Sequence, residues 1–333
     1  MTLSRHDINV LKGLAIILIV LHNVTHVLVY ITGNEFNFLH LNLEHFVNNL
    51  SSQPVTAFFA FYGWVGVAVF IFASAYGLSV KYKAGVTNTR QWILRHFLKL
   101  LILLLPAWAT FVLIEALSHP VSLHEWLYFG LEPTLLLNII SPDSFNPGVF
   151  WYIGMAMQLY LWFIVLQKLS DRNLVLIVFI CIIILAVAPE ETVSYLRHNS
   201  IGWLPEFVFG MLFFRHSNTM GKHAFTKFII AVLLVGFFSA SRYTFMLVGP
   251  CFVYALLQIS RVLSRSSILA FIGRISPAIY VVHPVVRSLW LRLINKFDLV
   301  ASPMTNAVTI LTISLLVSFF YFRIYTRLLK IIN

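Results

Sequence analysis

Two histidines interrupt an apolar run near the start of the chain. In the segment LKGLAIILIVLHNVTH, Lys12 opens the run, and His22 and His26 follow it, one helical turn apart. At about 1.5 Å per helical residue, His22 lies roughly 15 Å beyond Lys12, past the middle of a bilayer. An imidazole is expensive there, and ionisable groups inside spans face a bundle interior or a water-filled cavity, where they are functional by default. The chemistry open to such a ring is proton transfer from a hydroxyl, or nucleophilic capture of a group to be passed on. The structural alternative is that both rings only bond backbone carbonyls of neighbouring helices. It weighs more for His26, which lies nearer the membrane interface.

Other constellations lie at a distance in sequence. The stretch KYKAGVTNTRQWILRHFLK holds Lys81, Lys83, Arg90, Arg95, His96 and Lys99. Arg95 and Lys99 share a helix face, and with Arg90 they suit phosphate oxygens, because guanidinium forks match phosphate geometry. For Lys81 and Lys83, holding a loop on one side of a membrane is reason enough. In GRISPAIYVVHPVV, Ser276, Tyr280 and His283 are spaced four and three apart and form one polar stripe that should look inward. Glu206 in WLPEFVFG is a further intramembrane ionisable group, either part of a site or one half of an ion pair. Gln158 and Tyr160 suit hydrogen bonding between helices. Cys181 and Cys251 sit in apolar runs without metal or redox spacing. There is no glycine-rich phosphate loop, no HExxH and no nucleophile-elbow serine, and no metal is expected.

The elements that must position these residues are membrane helices. Of 333 residues, 59% are hydrophobic and 11% charged, and the mean hydropathy is +0.87. A soluble domain carries roughly 25% charged residues. The expected fold is therefore all-α, a polytopic bundle of about ten transmembrane helices in a single domain over 1–333. The spans fall near 8–31, 55–80, 97–116, 150–167, 174–188, 201–216, 226–241, 243–262, 268–288 and 304–325. Between them, 32–54 and 118–149 are long enough to fold, and Trp126, Tyr128 and Phe129 suggest an interfacial helix. The formal net charge of +11 raises the question of nucleic acid. Its distribution answers against it. With Arg5 cytoplasmic, alternating spans gather Lys81, Lys83, Arg90, Arg95, Lys99, Lys168, Arg172, Arg215, Lys222, Lys227, Arg261, Arg265, Arg274, Arg323, Arg327 and Lys330 on the inner side, and leave Arg197, Arg242, Arg287, Arg292 and Lys296 on the outer side. Glu35, Glu44, Glu125, Glu132, Asp143, Glu190, Glu191 and Asp298 fall outside. This positive-inside bias places both termini in the cytoplasm.

Taken in order, LKGLAIILIVLHN, GWVGVAVFIFASAYGL, RQWILRHFLKLLILLLP, FWYIGMAMQLYL, LPEFVFGMLF and IGRISPAIYVVHPVV resemble the acyltransferase 3 family of membrane acyltransferases. The resemblance implies transfer of an acyl group, usually acetyl from acetyl-CoA, to a hydroxyl of an extracytoplasmic glycan or lipid-linked saccharide. It also implies a multi-pass protein of the inner, cytoplasmic membrane, with acyl-CoA, the acceptor and membrane lipids as partners and no nucleic acid. The family's first-helix basic residue and histidine fall on Lys12 and His22, its paired basic residues near Arg95 and Lys99, and its late serine, tyrosine and histidine on Ser276, Tyr280 and His283. There are departures. Lys12 and His22 enclose one residue fewer than usual, which turns them by about 100° relative to the family arrangement in a regular helix. His96 and Lys99 stand where an arginine pair is common, with Arg95 one step earlier. The implied site has CoA phosphates on Arg90, Arg95 and Lys99 and His22 as the chemical centre, either as general base or as acyl carrier. Lys12, His26, Glu206, Ser276, Tyr280 and His283 would support it. A transporter or flippase of a lipid-linked glycan is the competing class. It would spread polar groups over many helices, whereas here they concentrate in the first, third and ninth spans.

Overall fold

The computed structural model describes residues 3–29, 37–140, 150–216, 224–298 and 301–332. Glu35, Asp143, Lys222 and the end of the first expected span lie outside the described residues. Every regular element described is helical. The chain runs through α1 (Arg5–Val29), α2 (His40–Asn49), α3 (Pro54–Tyr62), α4 (Val65–Lys81), α5 (Thr89–Ser118), α6 (Leu123–Leu131), α7 (Leu137–Ile140) and α8 (Trp151–Leu166). It continues through α9 (Asp171–Val187), α10 (Glu190–Arg197), α11 (Leu204–His216), α12 (Ala224–Phe238), α13 (Val248–Val262), α14 (Ser267–Lys296) and α15 (Pro303–Ile332).

Helix starts are capped before the chain turns apolar. At α1 the Ser4 N–H and hydroxyl donate to Asp7 Oδ2 at 2.9 and 2.7 Å, and the Asp7 N–H donates to the Ser4 hydroxyl at 3.2 Å. Asn88, Ser170 and Ser266 likewise accept from the backbone three residues on, opening α5, α9 and α14. These side chains satisfy amide donors that helix geometry orphans. The expected interfacial segment contains α6, begun by a capping box between Ser122 and Glu125.

Among the described residues, α1, α5, the stretch Phe245–Val262, α14 and α15 are each long and apolar enough to cross a membrane. The chain is a multi-pass membrane protein. The expected span 55–80 is broken: α3 and α4 meet at a 48° bend and make a sixth crossing if counted together. The remaining expected spans are short, with 16 residues in α8, 17 in α9, 13 in α11 and 15 in α12. At 1.5 Å per residue these fall below the roughly 30 Å of a bilayer's hydrocarbon core.

α1 forms the axis, packed on α14, α4, α15 and α3. It runs parallel to α14 with backbone against backbone: a Cβ on Gly273 would lie 1.7 Å from the Asn9 carbonyl oxygen, and one on Gly13 would lie 2.2 Å from that of Leu269. It runs antiparallel to α4, whose Tyr76 hydroxyl accepts from the Leu3 N–H at 2.8 Å. Tyr325 of α15 donates to the Lys99 carbonyl of α5 at 3.5 Å, so Leu3, Lys81, Lys99 and Tyr325 gather at one end, the basic end.

Candidate functional site

The break between α3 and α4 is built against the first histidine. A Cβ on Gly63 would lie 2.5 Å from His22 Cβ and 2.8 Å from the Leu18 carbonyl oxygen, so only glycine lets the broken helix approach α1 this closely. His22, 3% exposed, has its Nδ1 3.0 Å from the Phe59 carbonyl oxygen, and His26 has its Nδ1 3.2 Å from that of Ala60. A carbonyl only accepts, so Nδ1 carries the proton in both rings, and Nε2 of a neutral ring keeps the lone pair. The two rings lie 5.0 Å apart, centroid to centroid.

His283 is held at both nitrogens. Its Nδ1–H donates to the Ile279 carbonyl at 3.1 Å, and its Nε2 accepts from the Asn23 side-chain amide at 3.2 Å. Arg287, one turn on, donates to the Asn23 carbonyl at 3.0 Å. α14 therefore grips α1 at the residue next to His22. Asn23 and Arg287 escaped the sequence reading as site residues, Arg287 counting only as an outer charge; the available signal was an amide inside an apolar run and a cation one turn beyond His283. The Tyr280 ring lies tilted against Tyr152 at 4.9 Å and edge-on to His283 at 5.8 Å, centroid to centroid. Ser276 shares that buried face, but its hydroxyl donates to the Gly273 carbonyl of its own helix at 2.8 Å.

At the basic end, Trp92, His96 and Lys99 lie on successive turns of α5. The His96 ring lies 4.0 Å from Trp92 and 5.0 Å from Tyr160. Lys99 is within electrostatic reach of Lys81 and Arg95, whereas Arg90 and Arg95 point outward and are exposed. Lys81, which topology alone accounted for in sequence, belongs to this cluster. Lys12 lies on α1 between the two regions. α1 is an unbroken helix, so ten residues at about 100° each set Lys12 and His22 about 80° apart around its axis. Nearby, hydrogen bonds from Arg215 and His216 hold the exposed Asp171 carboxyl below the usual carboxylate range.

Glu206 is an ion-pair partner. It is fully buried, 3.4 Å from the Arg197 guanidinium, which also donates to the Gly202 carbonyl at 2.9 Å and stacks over Trp203 at 4.8 Å. Its second oxygen, Oε2, has no hydrogen-bond partner among the described residues. Gln158 bonds between elements as expected, donating to Asn138 at 3.3 Å and accepting from the Ser200 N–H at 3.1 Å. No group of three His, Cys, Asp or Glu side chains that could hold a metal occurs among the described residues.

The arrangement brings together a buried pair of histidines with one fixed tautomer, a histidine–amide clamp beside them and a cationic, aromatic cluster at one end of the same bundle. The model of the acyltransferase 3 family, described as an acyltransferase domain, matches residues 5–323. The chain belongs to the acyltransferase 3 family. That match takes in every residue of the candidate site, from Lys12 to Arg287. No curated protein and no solved structure matches this acyltransferase.

Proposed function

We propose that this acyltransferase takes an acetyl group from acetyl-CoA on the cytoplasmic side of a cell's inner membrane and delivers it to a hydroxyl of an extracytoplasmic glycan or lipid-linked saccharide. The bundle is read as ten alternating helical segments, with the basic end and both termini in the cytoplasm. The observation that carries the proposal is the setting of His22: the ring is buried at the α3–α4 break, and its Nδ1–H is committed to the Phe59 carbonyl, which keeps the basic lone pair on Nε2. In the reaction, Nε2 takes the proton of the acceptor hydroxyl as its oxygen bonds to the thioester carbonyl carbon. The carbon–sulfur bond breaks, and Nε2 returns the proton to the departing CoA thiolate. His283, with both nitrogens engaged, acts through Asn23 as a positioning residue. Lys81, Arg95 and Lys99 gather the CoA phosphates.

The test is turnover of labelled acetyl-CoA by purified protein, normalised to folded protein. His22→Ala is expected to lower acetyl transfer by about a hundredfold or more, because that is the usual contribution of a general base. Folding and CoA binding should be retained, and His26→Ala should be milder. A His22→Ala variant within about tenfold of wild type excludes proton transfer by this ring. Label retained on the wild-type protein in the absence of acceptor would replace the general-base route with acyl-imidazole formation at the same nitrogen.

A further inference from the structure

A cavity of about 310 Å³ opens at the basic end, between the loop joining α4 to α5 and the last turns of α8 and α11. Its lining includes Lys83, Lys168, Arg215, Tyr82, Phe163 and Gln167. Arg215 is already engaged, 2.5 Å from Asp171 and 3.0 Å from the Leu169 carbonyl. Lys83 and Lys168 make no ion pair among the described residues, so two cations face this space without a protein counter-charge. Gln167 contributes something else: its Nε2 donates to the Ile164 carbonyl at 3.3 Å, and its Oε1, buried, has no hydrogen-bond partner among the described residues.

The chemistry of that lining narrows its ligand. A phosphate uses the cations and leaves the rings and the amide oxygen idle. An acyl chain uses the rings and leaves two lysines unneutralised. A purine nucleotide uses all of them, with a planar base for the aromatic faces, an exocyclic amine for an amide acceptor and phosphates for the lysines. The cavity also adjoins the cluster around His96: Tyr82 lies 5.8 Å from Trp92 and 6.4 Å from His96, with the Lys81 ammonium 5.1 Å from its ring. Along α4, fourteen residues separate Ser79, on the cavity wall, from Val65 at the break beside His22, about 21 Å of helix rise, a span suited to an extended pantetheine arm.

We infer that this cavity is the nucleotide subsite of the donor, holding the adenine and 3′-phosphate of CoA against Tyr82, Phe163, Lys83 and Lys168. This rests on the reading of acetyl-CoA as donor. It moves the nucleotide away from Arg90, which is exposed at the start of α5, and leaves Lys81, Arg95 and Lys99 to the diphosphate.

The probe is adenosine 3′,5′-bisphosphate, which carries the nucleotide end without the arm or the thioester. It should compete with acetyl-CoA on the wild-type protein, whereas glycerol 3-phosphate, which offers the phosphate of a lipid headgroup without a base, should not. In the Lys83→Gln/Lys168→Gln protein, KM for acetyl-CoA should rise about tenfold or more with kcat unchanged, and inhibition by the bisphosphate should weaken in parallel. Arg265→Gln, an exposed charge between α13 and α14 outside the cavity lining, should leave both unchanged. A KM within twofold of wild type in the double variant overturns the subsite, as does equal inhibition by glycerol 3-phosphate. Wild-type protein that transfers no acetyl group from acetyl-CoA overturns the donor reading itself, an outcome distinct from normal turnover with an unchanged KM in the double variant.

Discussion

Arg197 and Glu206 show how differently polar residues are used at similar burial. Both side chains are almost wholly inaccessible, at 2% and 0% exposure, and one carboxylate oxygen faces the guanidinium while the other bonds nothing among the described residues. Breaking such a pair leaves an uncompensated buried charge, so Arg197→Met should lower stability by about 3–5 kcal/mol. Removing both charges together in Arg197→Met/Glu206→Gln should recover most of that loss. Unfolding in detergent followed by tryptophan fluorescence measures both, and a double variant no more stable than the single one would refute the ion-pair account. The three buried histidines follow a different logic. Each donates Nδ1–H to a carbonyl, and for His283 a side-chain donor, Asn23, also engages the other nitrogen. His22 and His283 were legible in the sequence because an imidazole in an apolar run is costly. Asn23 and Arg287 were not, because their use depends on which helix lies alongside. Arg197 was read as an outer loop charge, since nothing in its neighbourhood in sequence shows that the turn through Gly202 folds it back onto Glu206.

The break between α3 and α4 is the element that makes the histidine pair what it is. Hydropathy reads 55–80 as one span, since Gly63 and Trp64 are both compatible with an apolar helix. The reason for the break lies in the partner: the chain at Gly63 comes within Cβ distance of His22 and Leu18, and the carbonyls of Phe59 and Ala60 accept from the two imidazoles. Gly63→Ala should therefore push α3 off α1, lower stability by about 1–3 kcal/mol and reduce turnover per folded molecule, because the carbonyl that fixes the His22 tautomer moves with it. Gly77→Ala in the same broken helix is the control: its Cβ would meet nothing within 4 Å, so both stability and turnover should hold. Equal effects at the two positions would show that helix propensity, not the approach to His22, is being measured. The same dependence on partners explains the shorter helices. A 13-residue α11 spans only part of a bilayer, but it packs along α4, α9 and α13, and neighbours can supply the missing depth where an isolated helix could not.

For the molecule as a whole, charge was the most legible property, and it bears directly on how the site is used. An enzyme that drew on a cytoplasmic donor would present its cationic cluster to the cytoplasm, and the positive-inside bias argues for that orientation also from charges outside the cluster, such as Arg172, Arg261 and Arg323. Two arguments from different physics thus converge on one arrangement, which a labelling experiment can check. In a background with Cys181 and Cys251 replaced by alanine, a cysteine at Thr87, exposed in the loop before α5, should react with an impermeant maleimide only when the reagent reaches the cytoplasmic face. A cysteine at Ser52, exposed just before α3, should react only from the other face. Between these positions the chain passes through α3 and α4 together, so opposite sidedness requires the bent pair to cross as one span despite its 48° break. Labelling of both from the same face would make the pair a re-entrant loop. His22 and His26 would then line a cavity entered from a single side, and the donor and the acceptor would have to meet there from the same compartment.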